Sequence, residues 1–388
     1  MSGSQRRICV VTGSRSEYGL LQPVMSALRS DERFDLQVVV TGMHLSPEFG
    51  YTVSIIESDG YDVAESVESL ISGDTPAAIA KSIGLGVIGF ADVFRRLTPD
   101  WLLILGDRFE VFASAQAALV ANIPIAHIAG GDTTEGAFDE AIRHSITKMA
   151  HLHFVTNELS AKRVQQLGEN PTTIHVVGSP GIDAIHQMKL MEREAIEKDL
   201  VISFKNRNLL VTHHPVTLNP SGSVQELETL LSALDNFGDQ ISLFFTKANA
   251  DTLGRTFNRV LDDWTYTRSN AFVFTSLGQL RYFSLMNEVD VVVGNSSSGL
   301  CEAPSLHTPT VNIGDRQRGR LAATSVIHCD PHPRAIYAAI NAAFELDVSE
   351  VENPYGDGHA APRIVEAIAA VNDPKQLLQK RFHMIPSS

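Results

Sequence analysis

The chain has 388 residues, more than one ordinary hydrophobic core accommodates, and this length fits two domains. Its 44% hydrophobic content is typical of globular proteins, and its formal charge of -14 argues against a nucleic-acid partner, which would require dense Lys and Arg. No segment reads as a signal peptide or approaches a membrane span, and the three cysteines have no paired spacing. We therefore expect a cytoplasmic protein with no nucleic-acid or membrane partner.

Short apolar runs alternate with helical patterns along the whole chain, which predicts an α/β fold with parallel sheets and right-handed crossovers. The predicted strands are 8–12, 36–41, 101–105, 123–128, 152–156, 174–177, 208–212, 242–246, 271–274, 290–293 and 309–313. Gly and Pro interrupt the pattern at 178–185, so we predict Rossmann-like domains at 1–180 and 181–364. A last helical pattern, about 365–388, is expected to pack back on the first domain.

The first predicted strand ends at Gly13 in a polar loop that contains Arg15 and precedes a helix. In open parallel sheets, ligands bind beyond the carboxyl ends of the strands, which makes Arg15 a candidate for ligand contact. The GxGxxG spacing at 84–89 lacks this context, because it follows a helix-like segment rather than a strand. We interpret its glycines as small residues inside a helix that packs closely on a neighbour.

Asp107 and Arg108 follow the apolar strand 101–105 and precede a helix. They could form an internal ion pair only. The end of a buried strand is also where α/β sheets present functional side chains, and we favour a role in the cleft that holds Arg15.

The segment after the strand 123–128 is dense in titratable groups: His127, Asp132, Glu135, Asp139, Glu140, Arg143 and His144. A Gly-Gly pair at 130–131 lets the backbone approach a ligand, and Asp139 or Glu140 lies one helical turn before Arg143 and His144. One interpretation is a capped, salt-bridged surface helix. The other is a set of carboxylates for proton abstraction and return, which requires a base and an acid of differing pKa.

In the second half, Pro215 ends the strand 208–212 and leaves His214 at the mouth of the predicted sheet. His214 could donate to a phosphate or protonate a leaving oxygen. Asn249 and Asp251 follow the strand 242–246 and are candidates for the same cleft.

The segment Asp290 to Arg320 runs from a strand through Gly294 into a hydroxyl-rich turn, which we expect to open a helix with Glu302 in its first turn. A helix N-terminus has unpaired N–H groups and partial positive charge, so this turn could hold a diphosphate, with Glu302 accepting from a ribose diol. An ordinary turn between strand and helix is the alternative. The candidate diphosphate ligands are Ser296, Ser297, Ser298 and the amides around Gly299.

Nine short motifs occur in order over nearly the whole chain: VTGSRSEYG, VTGMHLSPEFG, LGDRFE, AIRHSITKMAH, GSPGID, HHPVT, GNSSSG, EAP and GDRQRGR. Together they resemble the UDP-N-acetylglucosamine 2-epimerase superfamily, and most closely its hydrolysing branch, which feeds sialic and nonulosonic acid biosynthesis. The resemblance implies a GT-B-like fold, with the nucleotide sugar in a cleft between two Rossmann-type domains, and a homodimer or dimer of dimers. It also implies a reaction without net redox change, for which we expect no cofactor and no metal.

The implied reaction on UDP-GlcNAc removes the C2 proton and eliminates UDP in the anti sense to give a 2-acetamidoglucal. Water then adds and releases N-acetylmannosamine. By motif position the resemblance makes Asp107 a catalytic carboxylate, with Asp139 and possibly Glu140 as a second. It also implies that Glu302 contacts the ribose, with Asn249 and Asp251 nearby. The residues that would face the diphosphate are Arg15, Arg108, His214, Ser296, Ser297 and Arg316.

One departure concerns the motif HIAGGD, where many relatives read HIEGGE, so that Ala129 replaces a carboxylate proposed as acid or base. Either Asp132 or another nearby acid takes that role, or the substrate differs, for example UDP-2,4-diacetamido-2,4,6-trideoxyglucose. The remaining alternatives are a non-hydrolysing epimerase, a GT-B glycosyltransferase and a non-catalytic nucleotide-sugar sensor.

Overall fold

The structure is a computed structural model that describes residues 5–71, 73, 75–134, 138–215, 220–248 and 254–385. The chain folds into two compact units, and each is built on its own parallel sheet. The first unit comprises Met1–Asp132, Asp139–His186 and Tyr355–Ser388, and the second comprises Thr133–Phe138 and Gln187–Pro354. The predicted α/β class with two Rossmann-type parallel sheets is confirmed.

The first unit contains a seven-stranded sheet in which every neighbouring pair is parallel. Its strands are β1 (Arg6–Thr12), β2 (Phe34–Thr41), β3 (Val63–Val67), β4 (Trp101–Leu105), β5 (Ile125–Ile128), β6 (Leu152–Val155) and β7 (Ile174–Val176). Their order is β3-β2-β1-β4-β5-β6-β7. The central strands β1, β4 and β5 are buried almost throughout, which explains their continuous apolar runs in the sequence.

The helices of this unit are α1 (Arg15–Arg29), α2 (Val53–Ser58), α3 (Pro76–Leu97), α4 (Phe109–Val120), α5 (Asp139–Met149), α6 (Glu158–Gln166) and α7 (Pro180–Gln187). Short 3-10 helices lie at Gly42–Leu45, Pro47–Phe49 and Pro171–Thr173. The first helix begins where the side chain of Ser14 accepts a hydrogen bond from the amide of Glu17. Its residues Leu21, Val24, Met25 and Leu28 have helical spacing and are fully buried against the sheet.

The GxGxxG segment lies inside α3, as predicted, and two of its glycines pack closely on neighbours. A Cβ atom at Gly86 would lie 2.8 Å from Cβ of Ala113, and one at Gly89 would lie 2.6 Å from a methyl group of Val67. We expected no stretch that approaches a membrane span, and this was wrong: by length and composition, α3 is long and apolar enough to cross a membrane. One third of its most apolar part, 33%, is buried inside the protein. Core helices of soluble proteins also meet this criterion.

The second unit contains a six-stranded, fully parallel sheet in the order β10-β9-β8-β11-β12-β13. Its strands are β8 (Arg207–Thr212), β9 (Ile241–Thr246), β10 (Ala271–Phe274), β11 (Val291–Gly294), β12 (Thr310–Ile313) and β13 (Val326–Cys329). Its helices are α8 (Arg193–Leu200), α9 (Pro220–Asp235), α10 (Gly254–Thr265), α11 (Gly278–Glu288), α12 (Ser298–Cys301) and α13 (Pro333–Phe344). Two 3-10 helices lie at Gly238–Gln240 and Ala303–Leu306.

The chain enters the second unit after His186 and returns to the first at Tyr355, whereas the sequence suggested boundaries at 180 and 364. The returning helix, α14 (Ala360–Ala370), begins where the fully buried Asp183 accepts hydrogen bonds from the amides of Ala360 and Ala361. Asp183 lies on α7, so this cap ties both helices to the first unit. A 3-10 helix at Pro374–Leu378 follows.

Candidate active site

Each sheet has one point at which the strand order reverses direction, and polar residues follow the strands there. In the first unit the point lies between β1 and β4, which end near Gly13 and Asp107. In the second unit it lies between β8 and β11, which end near His213 and Asn295. Ligands of open α/β sheets bind beyond the carboxyl ends of strands at such points. Each unit therefore has its candidate ligand site at this edge of its own sheet.

In the first unit, Asp107 is paired with Arg143 from α5. One guanidinium nitrogen of Arg143 donates to Oδ2 of Asp107, and the other donates to the carbonyl of Asp132 at 2.8 Å. The Arg143 side chain is 5% exposed, whereas the Asp107 carboxylate is 22% exposed. The carboxylate therefore has a fixed orientation and retains access for a ligand.

His127 supports the turn that carries Asp107. The turn needs Gly106 in the left-handed region at φ +77, and the carbonyl of Gly106 lies 2.7 Å from Nε2 of His127. Burial lowers the pKa of His127 to about 3, so the ring is neutral. Because a carbonyl only accepts, Nε2 carries the proton, and Nδ1 accepts from the hydroxyl of Thr147 at 3.2 Å.

The Asp132 carboxylate makes hydrogen bonds that stabilise the fold. It is buried, and its Oδ1 accepts hydrogen bonds from the hydroxyls of Thr156 at 2.8 Å and Ser160 at 2.6 Å. These contacts join the end of β5 to the start of α6. A carboxylate held in this way favours an anchoring role, so the predicted acid or base role of Asp132 has less support than that of Glu140.

Glu140 combines contacts to two neighbours with partial exposure. Its Oε1 lies 3.1 Å from Nε2 of His144, and its Oε2 lies 3.6 Å from a guanidinium nitrogen of Arg143. The side chain is 29% exposed. Asp139 is the first residue of α5 and is half-buried. Through Arg143, the structure brings Glu140 and Asp107 into one network, which we call the carboxylate network.

Arg108 forms the internal ion pair that the sequence left open. Its Nη2 lies 3.0 Å from Oε1 of Glu110, whose side chain is fully buried. Burial raises the pKa of the nearby Glu17 to about 8, and the positive charge of Arg108 offsets only part of this increase. Arg15 is the half-buried first residue of α1. Contact of Arg15 or Arg108 with a diphosphate stays a prediction.

In the second unit, the ends of β8 and β11 are cross-linked by one amide side chain. Oδ1 of Asn295 accepts from the backbone amide of His214 at 2.7 Å, and Nδ2 of Asn295 donates to the His214 carbonyl at 2.8 Å. The carbonyl of Asn295 accepts from Arg316 at 3.1 Å and from Gln317 at 2.8 Å. The close approach requires Gly294, where a Cβ atom would lie 1.9 Å from the carbonyl oxygen of Thr212.

Both histidines at the end of β8 are neutral near physiological pH. Burial, together with the charge of Arg316, lowers the pKa of His214 to about 3. Burial also lowers the pKa of His213 to about 3, with His214 and Arg316 adding to the effect. A neutral imidazole beside a guanidinium can donate one hydrogen bond to an anionic ligand without being protonated. We call His214, Asn295, Ser296–Ser298 and Arg316 the anion-binding edge.

His213 provides a test of these pKa values through stability. Its ring stacks on Phe257, and neither ring nitrogen has a hydrogen-bond partner among the residues described. The pKa of His213 is lower in the folded state than in the unfolded state. The stability that depends on a neutral His213 is therefore fully present above about pH 6.5 and is lost as the pH falls towards 3. In that pH range the wild type should lose about 1.4 kcal/mol of its free energy of unfolding per pH unit because of His213. We expect His213→Phe to lack this loss.

The measurement is calorimetry of wild type and variant at pH 7 and pH 5. The drop in Tm on acidification should be smaller in His213→Phe. An equal drop in both proteins would mean that His213 is protonated in the folded state. His186→Phe, which removes an exposed histidine of the first unit, is the matched control.

The segment after β11 differs from the prediction of a helix that carries Glu302 in its first turn. The helix α12 is one turn long, and Glu302 is its C-cap rather than a first-turn residue. The reason is Pro304, which cannot continue the hydrogen-bond ladder and starts a 3-10 helix instead. Gly299 is buried, and a Cβ atom there would lie 2.7 Å from a methyl group of Thr310.

Glu302 and the serines still lie together after this correction. Ser296, Ser297 and Ser298 are half-buried, and the amide of Ser298 donates to Oγ of Ser296. Burial raises the pKa of Glu302 to about 7, although a hydrogen bond from Ser298 lowers it. A carboxyl group that is partly protonated at neutral pH can stand close to an anionic ligand.

Two predicted site residues are not among those that the structure describes, and several residues of the site were not predicted. Asn249 and Asp251 lie outside the described residues. No role was predicted for Glu110, Gln317 or Thr147, and Arg143 was considered only as one titratable group among several. Their position in the sequence could have identified them, because each lies on a helix or loop that directly follows a strand of the sheet.

Comparison with known proteins decides the family. The profile described as UDP-N-acetylglucosamine 2-epimerase matches residues 26–369. The chain belongs to this family. Two relatives carry names that include the word hydrolyzing. The GDP/UDP-N,N'-diacetylbacillosamine 2-epimerase of Campylobacter jejuni is 41% identical over 84% of each chain. The UDP-N,N'-diacetylbacillosamine 2-epimerase of Legionella pneumophila is 32% identical over 97% of this chain and 98% of its own.

A solved structure agrees with the fold. The UDP-GlcNAc 2-epimerase of Neisseria meningitidis, determined with UDP-GlcNAc bound, superposes with a TM-score of 0.80 at 20% identity. The match covers 94% of this chain and 99% of that one. The family resemblance, the GT-B-like class and the assignment as a nucleotide-sugar 2-epimerase enzyme are therefore confirmed.

Proposed function

We propose that this epimerase is a hydrolysing enzyme whose substrate is UDP-2,4-diacetamido-2,4,6-trideoxyglucose, also named UDP-N,N'-diacetylbacillosamine. Its products are UDP and the free 2-epimer of the sugar. The observation that carries the choice of substrate is the 41% identity to the Campylobacter jejuni enzyme over 84% of each chain. UDP-GlcNAc, the substrate expected first from the sequence, is the second candidate, because the family is described by it.

The proposed chemistry begins at the carboxylate network of the first unit. A carboxylate takes the C2 proton, the C2–H electron pair forms the C1–C2 double bond, and the C1–O bond breaks as UDP leaves. A second acid then delivers a proton to C2 from the opposite face, and water adds its oxygen to C1 while giving up one proton to the carboxylate that this acid has become. Asp107 suits the role of base because Arg143 fixes its orientation while it stays accessible. Glu140 is our choice for the second group, with Asp139 beside it.

Ala129 supports a rearranged set of proton-transfer groups. It follows β5 in the left-handed region at φ +62, and its methyl group packs against the core of the first unit. This position therefore offers a methyl group rather than a carboxylate. In the proposal, Glu140 supplies the missing group from α5, since Arg143 links it to Asp107.

The second unit binds UDP in this proposal. Arg316 and the neutral ring of His214 contact the diphosphate, the serines of the anion-binding edge donate hydrogen bonds, and Glu302 accepts from the ribose. Negative charge develops on the diphosphate as the C1–O bond breaks. Donors fixed in advance stabilise that charge without reorganising.

His214 gives a test of the anion-binding edge. We expect His214→Ala to lower kcat by about 10²-fold, because it removes one donor from the developing charge. His214→Asn should retain part of the activity, since an amide N–H can replace the imidazole N–H. Steady-state kinetics measure both variants. An unchanged kcat in His214→Ala would make the residue structural.

The choice of substrate is tested by measuring UDP release from the two candidate UDP-sugars, without metal or acceptor. We expect kcat/KM to be higher for the diacetamido-trideoxy sugar by at least about tenfold, because a site shaped for a polar substituent rejects the analogue that leaves it unpaired. A preference for UDP-GlcNAc would select the second candidate. Absence of turnover with both, but with UDP-sugar binding, would indicate the sensor.

The remaining expectations belong to the same proposal. Both the UDP-sugar and the free sugar are small water-soluble molecules, which supports a cytoplasmic location. The elimination and the addition of water involve no change of oxidation state overall, which supports a reaction without a redox cofactor.

A further inference from the structure

Two consecutive backbone carbonyls, those of Asp132 and Thr133, accept hydrogen bonds from two different guanidinium groups. The Asp132 carbonyl accepts from Nη1 of Arg143 at 2.8 Å, and both residues belong to the first unit. The Thr133 carbonyl accepts from Nε of Arg320 at 2.5 Å, and both residues belong to the second unit. Only φ and ψ of Thr133 separate the two rigid peptide groups, so a shift of one carbonyl displaces the other.

Further contacts fasten Thr133 and Thr134 to the loop 314–320. Nη2 of Arg320 donates to the hydroxyl of Thr134 at 3.0 Å, and Thr134 is buried. The hydroxyl of Thr133 donates to the carbonyl of Arg318 at 3.2 Å. Because the guanidinium group of Arg320 is a planar fork, it holds a carbonyl and a hydroxyl of adjacent residues at once. The start of the segment Thr133–Phe138 therefore has a fixed position on this loop.

The same loop is part of the anion-binding edge. Arg316 and Gln317 both donate to the carbonyl of Asn295, and the backbone amide of Arg320 donates to the carbonyl of Gln317 at 3.2 Å. Gln317 is 1% exposed, so this part of the loop is packed into the second unit. Burial raises the pKa of Glu302 to about 7, and the charge of Arg320 opposes this increase. Arg320 therefore acts on the candidate ribose ligand as well as on the segment.

In the first unit, the carbonyl of Asp132 shares its donor with Glu140. Nη1 of Arg143 donates to that carbonyl and lies 3.6 Å from Oε2 of Glu140, whereas Nη2 of Arg143 donates to Asp107. A shift of the Asp132 carbonyl should therefore disturb Glu140 more than Asp107. The helix α5, which carries Glu140, also begins at Asp139, directly after the segment Thr133–Phe138.

We propose that Arg320 is a positioning residue for the second proton transfer, because it fixes the segment that leads to Glu140 on the loop that holds the nucleotide. The inference rests on the proposed function, in which Asp107 takes the C2 proton and Glu140 returns one to the opposite face. Binding of UDP at Arg316 steadies the loop, and through Arg320 it steadies Glu140. By linkage, the same contacts couple the binding of UDP to the order of the segment.

The experiment measures how the reaction divides between two sugar products. When Glu140 is misplaced, Asp107 still eliminates UDP, but the unsaturated sugar is not protonated at C2 and leaves the enzyme. We expect Arg320→Met to form the free 2-epimer about 10²-fold more slowly, since a misplaced acid costs about this factor. UDP release should fall less, and the unsaturated sugar should become the main sugar product. NMR of the sugars and an assay of UDP, with the UDP-sugar that the wild type turns over, measure both.

Arg320→Lys separates the positioning role from the effect of charge on Glu302. Lysine keeps the positive charge but lacks the fork that reaches Thr133 and Thr134 together. The variant should bind UDP with the affinity of the wild type and still release unsaturated sugar. Thr134→Val, which removes one acceptor of the fork, should change the product ratio in the same direction by a smaller amount.

Two controls have different expected results. Arg318→Met makes the same substitution in the same loop, but the Arg318 side chain is 63% exposed and pairs with Asp315 at 2.7 Å, so activity and product ratio should remain those of the wild type. Glu302→Gln weakens the candidate ribose contact, so it should raise KM and leave the product ratio unchanged. Thermal unfolding of each variant checks the fold.

Hydrogen exchange tests the coupling without turnover. UDP should slow amide exchange in the peptide from Thr133 to His144 of the wild type, and Arg320→Met should lose this protection while it still binds UDP. Retained protection in Arg320→Met, or a wild-type product ratio in both Arg320 variants, would overturn the proposal. An equal change of ratio in Glu302→Gln would also overturn it. A wild type that turns over neither UDP-sugar would contradict the proposed function, whereas protection that depends on Arg320 would still support the coupling.

Discussion

Asp107→Asn should lower kcat by about 10³-fold or more, because the amide cannot accept the proton that the proposed base removes from C2. Asn has nearly the same shape and can still accept a hydrogen bond from Arg143, so the fold of the network should be retained. In the proposal, Asp107 makes no contact with the diphosphate or the ribose. The affinity for UDP, measured by calorimetry, should therefore remain that of the wild type.

The matched control for this variant is Asp62→Asn, which changes an exposed aspartate of the same unit and should leave kcat unaltered. Loss of UDP affinity in Asp107→Asn to the same extent as loss of kcat would contradict the assignment. In that case Asp107 would act by organising the nucleotide site rather than by taking a proton.

Arg143→Met should have the second largest effect, and it should affect both stability and activity. The variant leaves Asp107 without its cationic partner and the Asp132 carbonyl without a donor. Breaking a largely buried pair on one side costs about 3 kcal/mol of stability. Because Asp107 would no longer be held in one orientation, kcat should fall by about 10²-fold or more.

Arg143→Lys distinguishes charge from geometry. Lysine keeps the positive charge, but its ammonium group lacks the planar fork with which the guanidinium reaches Asp107 and Asp132 together. We expect its kcat and Tm to lie between those of the wild type and Arg143→Met. A wild-type kcat in Arg143→Met, together with a lowered Tm, would show that the residue serves the fold alone.

Most of the architecture could be predicted because buried parallel strands are continuous apolar runs. The runs that became β1, β4, β8 and β11 were all recognised in the sequence, within two residues at each end. The strands β3 and β13 were not. Both are edge strands, and β3 alternates between half-buried and exposed residues, so neither has the signal of a strand covered on both faces.

The candidate site was partly predictable for the same reason. Asp107, His214 and Ser296 follow recognisable strands, and the rule that ligands bind beyond strand ends selects them. The pairing of Asp107 with Arg143 spans 36 residues and two elements, and sequence spacing cannot give it. The same holds for Asp132, whose carboxylate meets hydroxyls 24 and 28 residues further along the chain. The one-turn length of α12 depended on Pro304, which the sequence contained but which we did not weigh.

The most direct test of the proposed reaction is to incubate the enzyme with UDP-2,4-diacetamido-2,4,6-trideoxyglucose in deuterated water and to follow the sugar by NMR. UDP-GlcNAc serves as the parallel substrate. We predict UDP and a free 2-epimerised sugar that carries deuterium at C2, because the C2 proton leaves and solvent supplies its replacement. A released sugar that retains protium at C2, or a 2-epimer still attached to UDP, would contradict the proposed reaction.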